Sequence, residues 1–262
     1  MPNQPTPTPP RLFGISYSPW SEKARWALDH HRLAYRFVEH TPLIDELALR
    51  FRLRRVRGKV SVPTLLTGSE AVEGSLAIAR WADARGSGAE LEHGAGERAA
   101  IDDWDARSER ACRAGRALVS MRLSSTPGAM EEAVPAFVPG PLRRTVGRIG
   151  VSFIARKYAV DLGAEAAHES ALTEVLTAIR DELAKGDGKY LLGGHFTLAD
   201  ICAASAVNVI VPVGAQYVPI GPRTREAWTR TALAQQFPEV IAWRDSLYAR
   251  DRHDRPSGPA AA

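Results

Sequence analysis

The sequence predicts an α/β domain followed by an all-helical domain, divided near residues 86 to 96. Three observations predict it. Short apolar runs alternate with helix-period segments only as far as residue 85. The stretch GSGAELEHGAG then interrupts the pattern, and beyond it apolar residues recur at steps of three and four with no strand-like run.

In order, RLFGISY reads as a strand, WSEKARWALDHHR as a helix, AYRFVEH as a strand and IDELALRFRLRR as a helix. VPTLLTG and EAVEG form a hairpin, and SLAIARWADAR closes the unit as a helix. In the second domain Ile101, Trp104, Ser108, Ala111, Gly115, Leu118 and Arg122 form a helical stripe whose small members admit a close neighbour. Leu172, Val175, Leu176, Ile179 and Leu183 form another. Between them SSTPGAMEEAVPAFVPGP carries Met130, Val134, Phe137 and Val138 and is expected to fold back over a pocket. In FTLAD, Thr197 reads as an N-cap with Asp200 reaching back in a capping box, and Phe196 and Ile201 as its hydrophobic staple. Residues 1–10 and 251–262, rich in Pro, Gly, Ser and Ala, read as disordered tails, which leaves domains at 11–86 and 97–250.

The 262 residues, 45% apolar and 24% charged, suit a globular chain with a sizeable core. The net charge of +4 is spread through interleaved acids and bases, so no nucleic-acid face is expected; the run from Arg50 to Arg57 reads as a solvated helix face. Cys112 and Cys202 form no Cys-x-x-Cys pair, which argues against a disulfide framework or zinc knuckle, and both are expected to be buried and reduced. Neither a secretory leader nor a run of 18 apolar residues occurs, so a cytoplasmic protein without a membrane span is expected.

The chemistry concentrates in SYSPWSEKARWAL. Proline at the first helical position and serine before it place Ser18 at the junction of strand and helix. Ser18 then either caps an orphan amide or serves an anion held by the helix N-terminus. Ser18 and Ser21 stand at the spacing where a redox protein carries cysteines. A hydroxyl can donate to a bound thiolate but cannot form a mixed disulfide, so the pattern points to activation of a thiol and away from thiol exchange. In SVPTLLTG, a cis bond before Pro63 would turn the backbone of Val62 towards an extended peptide ligand. Ser75 opens the next helix, as a cap or as a hydroxyl suited to a carboxylate.

Together SPWSEKARWAL, VSVPTLL and GSLAIARWAD resemble the thioredoxin-like N-terminal domain of the glutathione S-transferase superfamily. HFTLADICAAS resembles a helix start in that superfamily's C-terminal domain, an all-α helical bundle, and the resemblance spans residues 11 to 250. In the serine-type form, Ser-Pro-aromatic, it implies that Ser18 hydrogen-bonds the glutathione sulfur, with Ser21 as a second candidate and Tyr17 too early in the motif. Val62, before the Pro63 that matches the family's cis-proline, would bind the cysteinyl backbone, and Ser75 the γ-glutamyl carboxylate. Where relatives place an acidic residue or Gln before that serine, this chain has Gly74; either Glu73, one residue earlier, meets the γ-glutamyl ammonium through a shifted backbone, or a partner subunit supplies the carboxylate, or the preferred thiol is not glutathione.

The resemblance implies a homodimeric thiol transferase acting on an apolar electrophile, with glutathione as co-substrate and no metal. Isomerisation or reductive dehalogenation would suit the same pocket, and Trp104, Asp105 and Phe137 read either as its lining or, as such residues more often do, as core or solvated surface. The alternative it implies is a non-catalytic binding or regulatory protein, like translation elongation factor gamma subunits and stringent starvation proteins.

Overall fold

Apolar alternation at the start of the chain becomes a small mixed sheet. In the computed structural model, which describes residues 9–253 other than 43 and 162, the first unit holds β1 (Arg11–Gly14), α1 (Pro19–His30), β2 (Arg36–Glu39) and α2 (Glu46–Arg52). It continues with β3 (Thr64–Leu66), β4 (Ala71–Glu73) and α3 (Ser75–Asp83). This unit reaches Ala89 and includes Arg252; of the expected tails, residues 1–8 and 254–262 lie outside the described residues.

The strand order is β2-β1-β3-β4. β1 and β2 run parallel, joined through α1, while β3 is antiparallel to β1 and β4 is antiparallel to β3. Side chains on a strand alternate faces. Phe13 packs with Leu49 of α2 and Val60, and Leu12, on the opposite face, is fully buried. β1 is shorter than the apolar run suggested: a Cβ at Gly14 would lie 2.9 Å from the Phe37 ring and from Ser21 Oγ, and the chain turns there.

The other face of α1 is charged yet buried. Glu22 and Asp29 are 1% and 4% exposed, and Arg252 closes on both, Nε 2.8 Å from Glu22 Oε1 and a terminal nitrogen 2.9 Å from Asp29 Oδ2. Tyr35 donates to Asp29 at 3.0 Å, and the guanidinium of Arg252 lies 5.9 Å from the Trp26 ring. Burial pushes the Asp29 carboxyl above its ordinary value, opposed by Arg252 and Tyr35.

The second unit, Glu90–Asp251, is helical. It holds α4 (Gly94–Ser125), α5 (Ala129–Glu132), α6 (Gly140–Tyr158), α7 (Glu165–Leu183), α8 (Leu198–Val207), α9 (Pro222–Trp228), α10 (Thr231–Gln236) and α11 (Pro238–Asp251). α4 packs on α7 and α8 through the stripes read in the sequence. A Cβ at Gly115 would lie 2.4 Å from Val209 Cβ, so the glycine permits the close approach. Trp104 is core, Asp105 accepts from Cys202 Sγ at 3.5 Å, and both cysteines are buried thiols outside any disulfide among the described residues. In the long connection Met130 and Val134 are buried while Phe137 is 70% exposed. Among the described residues no helix is long and apolar enough to cross a membrane.

The capping box forms at α8. Asp200 Oδ2 accepts from the Thr197 amide and hydroxyl, both at 2.9 Å, and Oδ1 accepts from the Leu191 amide at 2.8 Å. Burial nevertheless pushes the Asp200 carboxyl up from 3.8 to about 7, the hydrogen bonds acting in the opposite sense. A folded pKa above the unfolded one means the folded chain binds the extra proton between those values. The stability this group contributes is complete below the unfolded value and lost as pH rises through about 7. Wild type is therefore expected to gain stability relative to Asp200→Asn between about pH 8 and about pH 5 in urea unfolding. A difference constant with pH would contradict this.

Candidate functional site

Strand register gathers the three motifs at one end of the sheet. Phe13, Thr64 and Glu73 are aligned across β1, β3 and β4. The loop before α1, the Val62-Pro63 bond and the Gly74-Ser75 junction therefore all leave from the same edge. Gly74 N donates to Pro63 O at 3.1 Å and ties the last two together.

Ser18 is the N-cap residue of α1, in extended conformation at φ −75° and ψ 131°, with Pro19 following. Its amide donates to Ile15 O at 2.9 Å, and its carbonyl accepts from Glu22 N at 2.9 Å. Its side chain is half-buried and makes no capping hydrogen bond, so the simpler of the two sequence readings is not realised. The loop that presents it is fastened from three sides. Ser21 Oγ accepts from the Ile15 amide at 3.0 Å, Glu39 Oε1 from the Ser16 amide at 3.0 Å, and Ser16 O from Arg25 at 2.9 Å. Ser21 is fully buried and Tyr17 is exposed.

The Val62-Pro63 bond is cis. The side chain of Val62 packs against the Phe13, Leu49 and Val60 cluster, and Pro63 is buried. Among the described residues neither the amide nor the carbonyl of Val62 has a hydrogen-bond partner. A backbone donor and acceptor left open beside an antiparallel strand can pair with an extended peptide.

Ser75 is the first residue of α3 and 5% exposed, at the positive end of the helix dipole. Gly74 caps that helix at φ +91°, and a Cβ there would meet nothing within 4 Å. The glycine is thus required by the backbone and not by crowding. Glu73 is engaged by Arg55 in a bidentate pair at 2.6 and 2.9 Å. Sequence reading missed Arg55, whose place in a dense basic run disguised it; within that run Arg50 also pairs with Glu46 at 3.4 Å, and Arg52 lies over the Phe13 ring. Chemically, the edge offers a hydroxyl at each of two helix starts and an open backbone pair between them, which suits a small anionic peptide.

The family model for the glutathione S-transferase N-terminal domain matches residues 12–90, and that for the C-terminal domain residues 159–246. Solved structures share the fold at low identity. Glutathione transferase F2 from Populus trichocarpa is 17% identical, with a TM-score of 0.57 over 92% of this chain and 94% of that one. Glutathione S-transferase I from maize, solved with an atrazine glutathione conjugate, is 20% identical, with a TM-score of 0.58 over 93% of each chain. A glutathione S-transferase from Rhodospirillum rubrum is 19% identical, with a TM-score of 0.55 over 92% of this chain and 88% of that one. No curated protein matches the chain by sequence.

Proposed function

The chain belongs to the glutathione S-transferase superfamily, and we propose that within it the protein is a serine-type transferase for glutathione or a related small thiol. The observation that carries this reading is the Ser18 hydroxyl, placed at the N-terminus of α1 but not used to cap it. Ser18 Oγ–H donates to the thiolate, and the helix terminus favours the anion. Ser21 acts through the loop as a positioning residue, because its hydroxyl holds the Ile15 amide. Val62 pairs with the cysteinyl backbone of the thiol beside Pro63, and Ser75 holds the γ-glutamyl carboxylate. The bound thiol supplies the sulfur that forms a carbon–sulfur bond with an apolar electrophile. We take the enzyme to be cytoplasmic and homodimeric; the exposed Leu47, Phe51 and Val56 around α2 support a partner surface.

The donor set fits glutathione incompletely. With glycine at position 74 and Glu73 held by Arg55, the γ-glutamyl ammonium meets a carboxylate that is already paired. Losing a charged hydrogen bond costs about 1.5 to 3 kcal/mol, roughly one to two decades in affinity. This observation favours, as second reading, a non-catalytic member that binds thiols weakly and turns nothing over.

Thermal unfolding with glutathione tests the proposal. With a dissociation constant of about 1 mM, about 10 mM ligand adds roughly 1.4 kcal/mol, a rise of about 3 to 6 °C. The rise is expected to shrink in Ser75→Ala. Absence of any rise, or one indifferent to Ser75, would overturn the glutathione assignment. A rise without turnover of any electrophile would select the second reading.

A further inference from the structure

Three metal-donor side chains converge in the helical unit. His93 is the N-cap residue of α4, and Glu97 follows at i+4 on the same face. His195 arrives from the loop ahead of α8. Nδ1 of His93 is 3.2 Å from Glu97 Oε2, and Nε2 of His195 is 3.0 Å from Glu97 Oε1. The two imidazoles meet edge to face with centroids 4.6 Å apart. One donor atom from each residue lies within 4.8 Å of the other two. Donors bound at about 2.0 to 2.1 Å in a tetrahedron stand roughly 3.3 Å apart. Each imidazole is already near that distance from the Glu97 carboxylate, though from a different oxygen, so the carboxylate would bind through both oxygens or turn to share one as the half-exposed imidazoles rotate in.

The fold builds this convergence. Leu198 N donates to Leu91 O at 3.0 Å, which fastens the segment carrying His195 to the one carrying His93. Leu91 and Thr197 are fully buried, and the Leu191 amide is held by Asp200. A second observation points the same way. The other ring nitrogen of His93, Nε2, lies 3.7 Å from Glu90 Oε2. Metal-bound imidazoles commonly turn their free N–H to a carboxylate, and Glu90 would complete such a hydrogen bond by closing a few tenths of an ångström. Of the three, Glu97 alone also lines a cleft of about 460 Å³, together with Tyr190, Lys185 and Leu192. No motif spacing announced the group, because His195 is distant in sequence from the other two.

We propose that His93, Glu97 and His195 bind one divalent transition-metal ion, with Glu90 orienting His93 from outside. Two imidazoles and one carboxylate suit zinc, cobalt(II) or nickel(II) and not the all-oxygen preferences of magnesium or calcium. The assignment is independent of the thiol site, and its test reads metal binding, not turnover.

Chelator-stripped full-length protein would be titrated with Co²⁺, followed by visible absorption, and then with Zn²⁺. One equivalent of Co²⁺ is expected to give the bands of a low-coordinate site, Zn²⁺ to displace them and raise the melting temperature, and Mg²⁺ to do neither. His93→Ala and His195→Ala should each abolish the bands, with His93→Gln and His195→Gln made in parallel so that a folding defect is separable by far-UV circular dichroism. Glu90→Ala should weaken binding by about 10- to 100-fold. His168→Ala, whose imidazole contacts Asp161 O, should leave binding unchanged. Absence of saturable binding at one equivalent, or binding that survives in a folded variant of either histidine, would overturn the site.

Discussion

Arg252→Ala is expected to lower the unfolding free energy by about 3 to 5 kcal/mol, the cost of leaving buried charge uncompensated. Arg252 is 9% exposed and touches two carboxylates, Glu22 and Asp29, that are nearly sealed from water. Arg25 still reaches Glu22 at 2.5 Å, so Asp29 bears most of the loss. The pH dependence separates this from lost packing. Burial already raises the Asp29 pKa, and removal of Arg252 raises it further. A raised folded value means the variant binds a proton that its unfolded chain does not, so its deficit should shrink as pH falls towards 5. Urea midpoints at about pH 7.5 and about pH 5 measure this, and Asp29→Asn in the Arg252→Ala background should recover part of the loss at the higher pH. A deficit independent of pH and of Asp29 would mean that packing on Trp26 is the larger effect.

Ser18→Ala is expected to lower kcat/KM for thiol conjugation by about 10- to 100-fold, as removal of one charge-assisted hydrogen bond of about 1.5 to 3 kcal/mol requires. Because the hydroxyl makes no capping bond, stability should change by less than about 0.5 kcal/mol. The pH profile carries the mechanism. Without the donor, the apparent thiol pKa of the complex should rise by roughly one to two units, so the gap to wild type should narrow as pH increases. Equal losses at every pH would assign Ser18 to positioning. A melting temperature that falls with activity would return the residue to a capping role.

Much of this arrangement was legible in the sequence because it is local. The strand-to-helix turn at Ser18, the helix start at Ser75 and the capping box at Thr197 are each set by residues within four positions of one another. The stripe of α7 followed a strict period, and the buried set matches it. What was not legible depends on tertiary neighbours. The isomer of Pro63 is chosen by its surroundings. Residues 140–158 form a 19-residue helix, α6, that buries no side chain fully and so left no core stripe to read. Ser21 looked like a second candidate hydroxyl because nothing in its flanking residues indicates that Gly14 and Ile15 close over it. Arg55 and Arg252 carry no pattern at all. Arg252 stands at the border of a Pro- and Ala-rich end and was assigned to a tail, yet two buried carboxylates far back in the chain fix its position.

The same arginine bears on how the protein is made. Synthesis proceeds from the amino end, and domains ordinarily fold as they emerge. Here the compact unit formed by the first residues includes Arg252. Until Arg252 is translated, α1 must carry Glu22 and Asp29 without their shared counter-ion. The α/β unit is therefore completed only after the helical unit, Glu90–Asp251, has been translated, and a nascent chain arrested before Arg252 holds it in a less stable form.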